Sequence, residues 1–283
     1  MQLEQIAVVG AGTMGGGIAQ VFVQHGLSVA LYDADATALA RGIANIGQRL
    51  EQQVEKGRLE AFRCEQVLDG LSGIERLEQI GAADMVIEVV PERLDLKKEI
   101  FAQLDQYARA DAILASNTSG LDLAQLAAVT GRPERVVGMH FFNPPPVMPL
   151  IEVVRHDTTA VEVVEAVQAL AQRLGKTAIA VANSPGFVVN RILFPMINEA
   201  VYALAEGVAT AADIDQAMQL GASHPIGPLA LADFVGLDVT LDIIDSFETA
   251  FGTAKYRACP LLREMVSRGE LGRKSGKGFF SYG

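Results

Sequence analysis

The sequence predicts a doubly wound α/β fold on a mostly parallel sheet, followed by a second, all-helical domain. Three observations carry that expectation. A strand, a glycine-rich turn, a helix and a second strand are compressed into residues 5–33; short β-rich runs then alternate with helical patterns as far as residue 181; and the pattern turns helical throughout after the turn-rich Asn183-Ser184-Pro185-Gly186. Alternation of this kind favours a parallel sheet, because parallel neighbours need a crossover connection.

Gln5–Gly10 reads QIAVVG, a run of the kind buried in a parallel sheet, and an apolar, helix-like run follows from Ile18 to Val23. His25-Gly26 is a helix-stop signal ahead of the strand Ser28–Asp33. Further strands are expected at Met85–Val90, Ala112–Ala115, Val136–Phe142, Ile151–Val154 and Thr177–Val181. Beyond the junction, Phe187–Glu206 is one long apolar segment, Thr210–Leu220 opens with the capping signal Thr210-x-x-Asp213, and Leu229–Phe251 reads as helix. Pro195 kinks its segment or lies near a helix start. The boundary falls near residue 184, giving domains over residues 1–184 and 185–283.

A chain of 283 residues agrees with two domains at about 100–200 residues each. Its 23 Lys plus Arg against 34 Asp plus Glu give a formal charge of −11, which argues against nucleic acid as a partner. Two cysteines, Cys64 and Cys259, are too few for a disulfide framework and lack the spacing of a zinc site, so no metal is expected. The cysteine usage points to a reducing, cytoplasmic compartment. No long uninterrupted apolar stretch occurs, and Glu4 stands where a signal peptide would carry positive charge, so neither membrane spanning nor secretion is expected.

Gly10-Ala11-Gly12-Thr13-Met14-Gly15 matches G-x-G-x-x-G between a strand and a helix. There Gly10 makes the tight turn, Gly12 lets backbone approach a pyrophosphate, and Gly15 lets helix and strand pack closely, while the helix N-terminus offers N–H groups to the phosphates. Asp33 ends the second strand, where a carboxylate accepts ribose hydroxyls and repels a 2′-phosphate. The expected cofactor of this Rossmann-type domain is NAD rather than NADP.

Of the four histidines, His25 sits at a helix end facing terminal carbonyls, His156 reads as a solvated edge beside Arg155 and Asp157, and His224 as a turn residue. His140 differs, because it ends an apolar strand that runs into Asn143-Pro144-Pro145-Pro146, at the strand end where open α/β sheets bind ligands. Glu152 is an isolated acid in the apolar strand Leu150–Val154 and needs a partner if buried. If the chain reverses through Pro144–Pro149, residues 140 and 152 lie equidistant from Pro146 and face each other on antiparallel strands. Such a pair suits proton transfer, though a structural hydrogen bond has the same spacing.

Gly10–Gly15, Ala115-Ser116-Asn117-Thr118-Ser119, His140-Phe141-Phe142-Asn143-Pro144, Pro185-Gly186-Phe187-Val188-Val189-Asn190-Arg191 and Gly276-Lys277-Gly278-Phe279-Phe280 together resemble the L-3-hydroxyacyl-CoA dehydrogenase family, closest to its short monofunctional 3-hydroxybutyryl-CoA dehydrogenases. The resemblance covers essentially the whole chain. It implies that His140 removes the 3-hydroxyl proton while hydride leaves C3, that Glu152 orients His140, and that Ser119 and Asn190 hydrogen-bond the substrate oxygen, Ser119 also lying near the nicotinamide. It further implies that Glu92, Lys97, Asn143 and Lys274 approach the cofactor. Two departures bear on acyl preference: Pro149 stands where many relatives carry lysine, and Gly120 replaces a common serine.

An acidic protein that takes coenzyme A needs a local positive face. Over Asp35–Arg58, Leu39, Ile43, Ile46, Leu50 and Val54 recur at helical spacing as a buried stripe, and Arg41, Arg49 and Lys56 then share one polar flank, with Glu51 and Glu55 on the other side. The resemblance implies contact with the CoA nucleotide here, to which Lys56 aligns; Arg49, which stands where some relatives carry serine, joins Lys56 as a substrate-binding residue through the shared basic flank. The leading expectation is an NAD-dependent oxidoreductase of fatty acid metabolism that interconverts (S)-3-hydroxyacyl-CoA, of short chain, and 3-ketoacyl-CoA. By resemblance it forms a homodimer through the helical domain. The rivals are a dehydrogenase of a free hydroxy acid or sugar acid, a catalytically silent NAD-binding structural protein, and a detached part of a multifunctional β-oxidation protein.

Overall fold

A computed structural model describes residues 1–283, which divide into two units, Met1–Phe187 and Val188–Gly283. The first runs β1 (Gln5–Val9), α1 (Thr13–Gln24), β2 (Ser28–Tyr32), α2 (Ala36–Glu55), α3 (Ala61–Asp69), β3 (Leu71–Ile74), β4 (Met85–Glu88), α4 (Leu94–Tyr107), β5 (Ile113–Ser116), α5 (Leu123–Ala127), β6 (Val136–Phe141), β7 (Leu150–Arg155), α6 (Val161–Arg173) and β8 (Thr177–Ala182). The eight strands form one sheet in the order β3-β2-β1-β4-β5-β6-β7-β8. Every neighbouring pair is parallel except β6 with β7. Strand order reverses between β1 and β4, the crevice where such sheets bind ligands.

Alternation along the strands feeds two cores. Ile6 and Val8 of β1 join α1, α2 and α6 on one face, while Ala7 and Val9 join Phe101 and Leu104 of α4 and Leu123 and Leu126 of α5 on the other. Each fully buried Ile, Leu or Phe contributes about 1.5–3 kcal/mol. The strand β3 was not expected. Its Leu-Ser-Gly-Ile carries little hydrophobic signal because it is an edge strand, and Gly73 leaves room for Ile43, whose Cδ1 lies 2.7 Å from where a Cβ would stand.

In α2 the Asp35 carboxylate caps the first turn by accepting from Thr37 N at 2.8 Å. Leu39, Ile46 and Leu50 are buried on the expected stripe, and the helix stops at Gly57, whose φ is +64°.

The second unit is helical: α7 (Val189–Ala205), α8 (Ala211–Gly221), α9 (Pro228–Val235), α10 (Leu237–Phe251) and α11 (Pro260–Ser267). Phe194, Ile197, Val201, Leu229, Ile244 and Leu262 lie in its core. Pro195 lies inside α7, and the Thr210 hydroxyl caps α8 by accepting from Asp213 N at 3.2 Å. The single helix expected over Leu229–Phe251 is two, because Gly236 adopts a φ of +105° that ends α9 and starts α10. The closing Gly276–Phe280 motif is a fold element: buried Asp233 accepts from Phe279 N at 3.0 Å, Phe280 N at 2.9 Å and the Tyr282 hydroxyl at 3.0 Å. No helix is long and apolar enough to cross a membrane.

Candidate active site

The glycine loop joins β1 to α1 at the strand-order reversal. Gly10 has a φ of +112°, and a Cβ there would stand 2.6 Å from Val89 O; a Cβ on Gly15 would stand 1.8 Å from Gly10 O. Both glycines are therefore required by the fold itself. Gly12 differs: nothing lies within 4 Å of its missing Cβ, and as N-cap of α1 it provides no side chain to occupy the first-turn N–H groups. That open cradle at a helix N-terminus, with exposed Thr13 and half-buried Met14 beside it, fits a pyrophosphate. The Asp33 carboxylate accepts from Ala11 N at 2.8 Å and Asp35 N at 3.0 Å, so it braces the loop.

The ends of β4 and β5 carry a polar network. Lys97, 1% exposed, donates to Glu88 Oε1 at 2.7 Å and Val90 O at 3.1 Å and forms a second ion pair with Glu92, 3.3 Å from its Oε2. Glu88 is fully buried and also accepts from Ser116 Oγ at 2.7 Å and Val90 N at 2.6 Å. Burial pushes the Glu88 carboxyl above its ordinary range, opposed by the Lys97 charge and these hydrogen bonds. Glu92 Oε1 in turn accepts from Thr118 Oγ1 at 2.6 Å, Ser119 N at 2.8 Å and Ser119 Oγ at 3.1 Å. Glu92 thus links Lys97 to Ser119.

His140 and Glu152 pair directly in the register of β6 and β7, and His140 Nδ1 lies 2.8 Å from Glu152 Oε2. Glu152 is fully buried and His140 is 6% exposed. A carboxylate on Nδ1 selects the tautomer with its proton there and leaves the lone pair on Nε2. The ring packs 4.6 Å from Phe142 and 5.7 Å from Phe187, centroid to centroid. Registers along the sheet align Val9 with Glu88, Ser116 and Gly138, which sets His140 two residues past that level, at the same strand ends as the glycine loop. Asn117 Oδ1 accepts from Phe141 N at 2.8 Å and holds β6 to the loop carrying Ser119.

A cleft of about 420 Å³ lies between α1, the end of α2 and the proline turn, and brings together Gln20, Arg49, Lys56, Arg58, Asn143 and Val147. Three cations converge there in a chain of net charge −11. Arg41 is exposed and is not part of that wall, so the flank expected of three residues is carried by Arg49 and Lys56 with Arg58. The turn contains a cis Asn143–Pro144 bond.

Two expected residues belong to the second unit. Asn190 stands in the first turn of α7, and Lys274 is held by Asp238 at 2.5 and 2.6 Å. Among the other histidines, His25 Nδ1 lies 2.7 Å from Val21 O at the end of α1. His156 is not a solvated edge: it is 6% exposed, with Nε2 3.1 Å from Pro133 O and Nδ1 3.2 Å from Thr158 Oγ1, because the loop before β6 folds over it.

Sequence reasoning missed Glu88, Arg58 and Lys176. Glu88 carried the signal that singled out Glu152, an acid in an apolar strand. Arg58 lies past the Gly57 helix stop, outside the helical periodicity. Lys176 follows Gly175 with no pattern to distinguish it.

Residues 5–184 match the family model for the NAD binding domain of 3-hydroxyacyl-CoA dehydrogenase, and residues 186–282 match the model for its C-terminal domain. A probable 3-hydroxybutyryl-CoA dehydrogenase of Bacillus subtilis is 48% identical over 282 residues, covering 100% of this chain and 98% of that one. The 3-hydroxybutyryl-CoA dehydrogenase of Clostridioides difficile is 44% identical over 98% of this chain and 99% of its own. The crystal structure of (S)-3-hydroxybutyryl-CoA dehydrogenase from Ralstonia eutropha superposes with a TM-score of 0.97 at 46% identity, with complete coverage of both chains. With both domains matched in order along the chain, this protein belongs to the 3-hydroxyacyl-CoA dehydrogenase family and is an NAD-dependent enzyme of that family.

Proposed function

We propose that this enzyme interconverts (S)-3-hydroxybutyryl-CoA, or a similarly short 3-hydroxyacyl-CoA, and its 3-keto form, with His140 as the base. The observation that carries the mechanism is the His140–Glu152 pair, buried, in register and 2.8 Å apart. The names of the full-length relatives support the acyl group.

NAD, when bound, supplies the hydride acceptor. Nε2 of His140 takes the 3-hydroxyl proton as hydride leaves C3. Glu152 holds the ring by its Nδ1 proton and stabilises the imidazolium that forms, a positioning that a general base needs for its usual contribution of about 10²–10⁴ in rate. Ser119 hydrogen-bonds the substrate oxygen, and Glu92 positions the Ser119 loop by accepting from its N–H at 2.8 Å. Gly12 and the first turn of α1 take the pyrophosphate, Asp33 the ribose, and Asn143 a position beside the cofactor.

The cleft of Arg49, Lys56 and Arg58 takes the CoA nucleotide, and this separates the reading from a dehydrogenase of free hydroxy acids. The deciding assay follows NADH oxidation with acetoacetyl-CoA and, separately, with acetoacetate. Turnover of the thioester alone is expected, and comparable turnover of the free acid overturns the CoA assignment. The enzyme is further proposed to form a homodimer through its helical domain, whose surface carries Ile192, Leu220 and Phe234 at 65%, 77% and 61% exposure. Sedimentation at micromolar concentration distinguishes dimer from monomer.

A further inference from the structure

Lys176 lies between α6 and β8, 8% exposed, and its ammonium donates to Pro145 O at 2.7 Å and Met148 O at 2.8 Å. Both partners are carbonyls, and no carboxylate stands at ion-pair distance. Burial of an ammonium without a countercharge is costly unless its donors are satisfied. The turn it grips has an unusual need of donors. Pro144, Pro145 and Pro146 have no N–H, and the next two amides, Val147 N and Met148 N, both go to Pro144 O at 3.0 Å. Lys176 and the following Thr177 N, which donates to Pro149 O at 2.7 Å, tie three further carbonyls of the turn to the start of β8.

The other side of the turn meets α1. A Cβ on Gly17 would stand 2.9 Å from Pro145 Cδ, so this face of the helix lies directly against the proline. The turn is therefore wedged between α1 and the chain at Lys176, and its outer surface, Asn143 to Val147, forms one wall of the cationic cleft. The catalytic pair has separate support in the β6–β7 register and the Asn117–Phe141 hydrogen bond.

We propose that Lys176 is a positioning residue for coenzyme A: it fixes the proline wall of the nucleotide cleft and adds its charge behind that wall. This rests on the reading of the cleft as the CoA site. The consequence is a split between substrates. Release of the turn weakens recognition of the nucleotide and leaves the chemistry at His140 intact.

The test compares acetoacetyl-CoA with acetoacetyl-N-acetylcysteamine, which has the same reacting group and no nucleotide, in wild type and Lys176→Met. In the variant, KM for the CoA thioester and the inhibition constant of 3′,5′-ADP are each expected to rise roughly tenfold, with kcat and both constants for the short thioester changed less than about twofold. Lys176→Arg, which retains charge and donors, is expected to restore KM to within about threefold of wild type. An unchanged KM for the CoA thioester, or an equal loss on both substrates, overturns the proposal. A wild type with equal KM for the two thioesters overturns the reading of the cleft instead, before any variant is made. Far-ultraviolet circular dichroism and a thermal melt report whether Lys176→Met folds; if it does not, Lys176→Gln carries the same comparison. In the wild type, slower amide exchange at Val147 and Met148 on adding 3′,5′-ADP is expected, and no change there counts against the proposal.

Discussion

His140 on β6 stands directly opposite Glu152 on β7, and the one antiparallel pairing in the sheet places Nδ1 of the first 2.8 Å from Oε2 of the second. A parallel neighbour needs a crossover; the antiparallel return delivers both residues to one strand end within a dozen positions. Glu152→Gln keeps the size of the side chain and removes the charge proposed to stabilise the imidazolium. It is expected to lower kcat by about 10² or more, and His140→Gln by about 10²–10⁴, with NADH affinity unchanged in both. Stopped-flow turnover and NADH fluorescence titration check the two halves of this expectation. Near-normal turnover in His140→Gln removes it from the mechanism.

The pair was legible in the sequence because two signals coincided: a proline turn of defined centre, and polar residues in otherwise apolar runs placed symmetrically about it. The parallel strands were legible for the same reason, since burial on both faces leaves continuous apolar runs. Where burial is one-sided or absent the signal fades, as in Leu71–Ile74 at the sheet edge. His156 was misread because neighbouring Arg155 and Asp157 suggest solvent, whereas its ring is covered by Pro133, 23 residues away in the chain. Arg58 and Lys176 meet their partners through tertiary packing alone, and no local spacing announces either.

Lys97 and Glu88 present a buried charge pair whose partners cannot be removed singly without consequence. Lys97→Met leaves the Glu88 carboxylate fully buried with no cation, and is expected to cost about 3–5 kcal/mol in urea denaturation. Adding Glu88→Gln removes the stranded charge, so the double variant is expected to be more stable than Lys97→Met alone. A double variant less stable than the single would show that Glu88 is held neutral in the folded chain.

The glycine loop separates demands of folding from demands of binding. An alanine at position 15 would set its Cβ 1.8 Å from Gly10 O, a clash with backbone that no rotamer relieves. Gly15→Ala is expected to cost about 3 kcal/mol or more in stability. At position 12 the φ of −65° suits any residue and the space is open. Gly12→Ala is therefore expected to stay within about 1 kcal/mol of wild-type stability, and to weaken NADH binding at least about tenfold as the methyl fills the pyrophosphate cradle. Full NADH affinity in a folded Gly12→Ala variant would place the pyrophosphate elsewhere.

Lys176 gives a pH dependence whose sign follows from its burial, which pushes the ammonium below its ordinary value of about 10.4. The folded chain then binds this proton less tightly than the unfolded chain. The associated stability is present above the unfolded value and is lost as pH falls through the lowered folded value, so at neutrality the charged group carries its full desolvation cost. Lys176→Met has no proton to bind and shows no such term. Wild type is therefore expected to gain stability relative to Lys176→Met as the pH rises from neutrality towards about 10, with the difference read from urea midpoints at matched pH. A difference independent of pH would mean that water reaches the ammonium, and the hold on Pro145 and Met148 would then be that of an ordinary surface lysine.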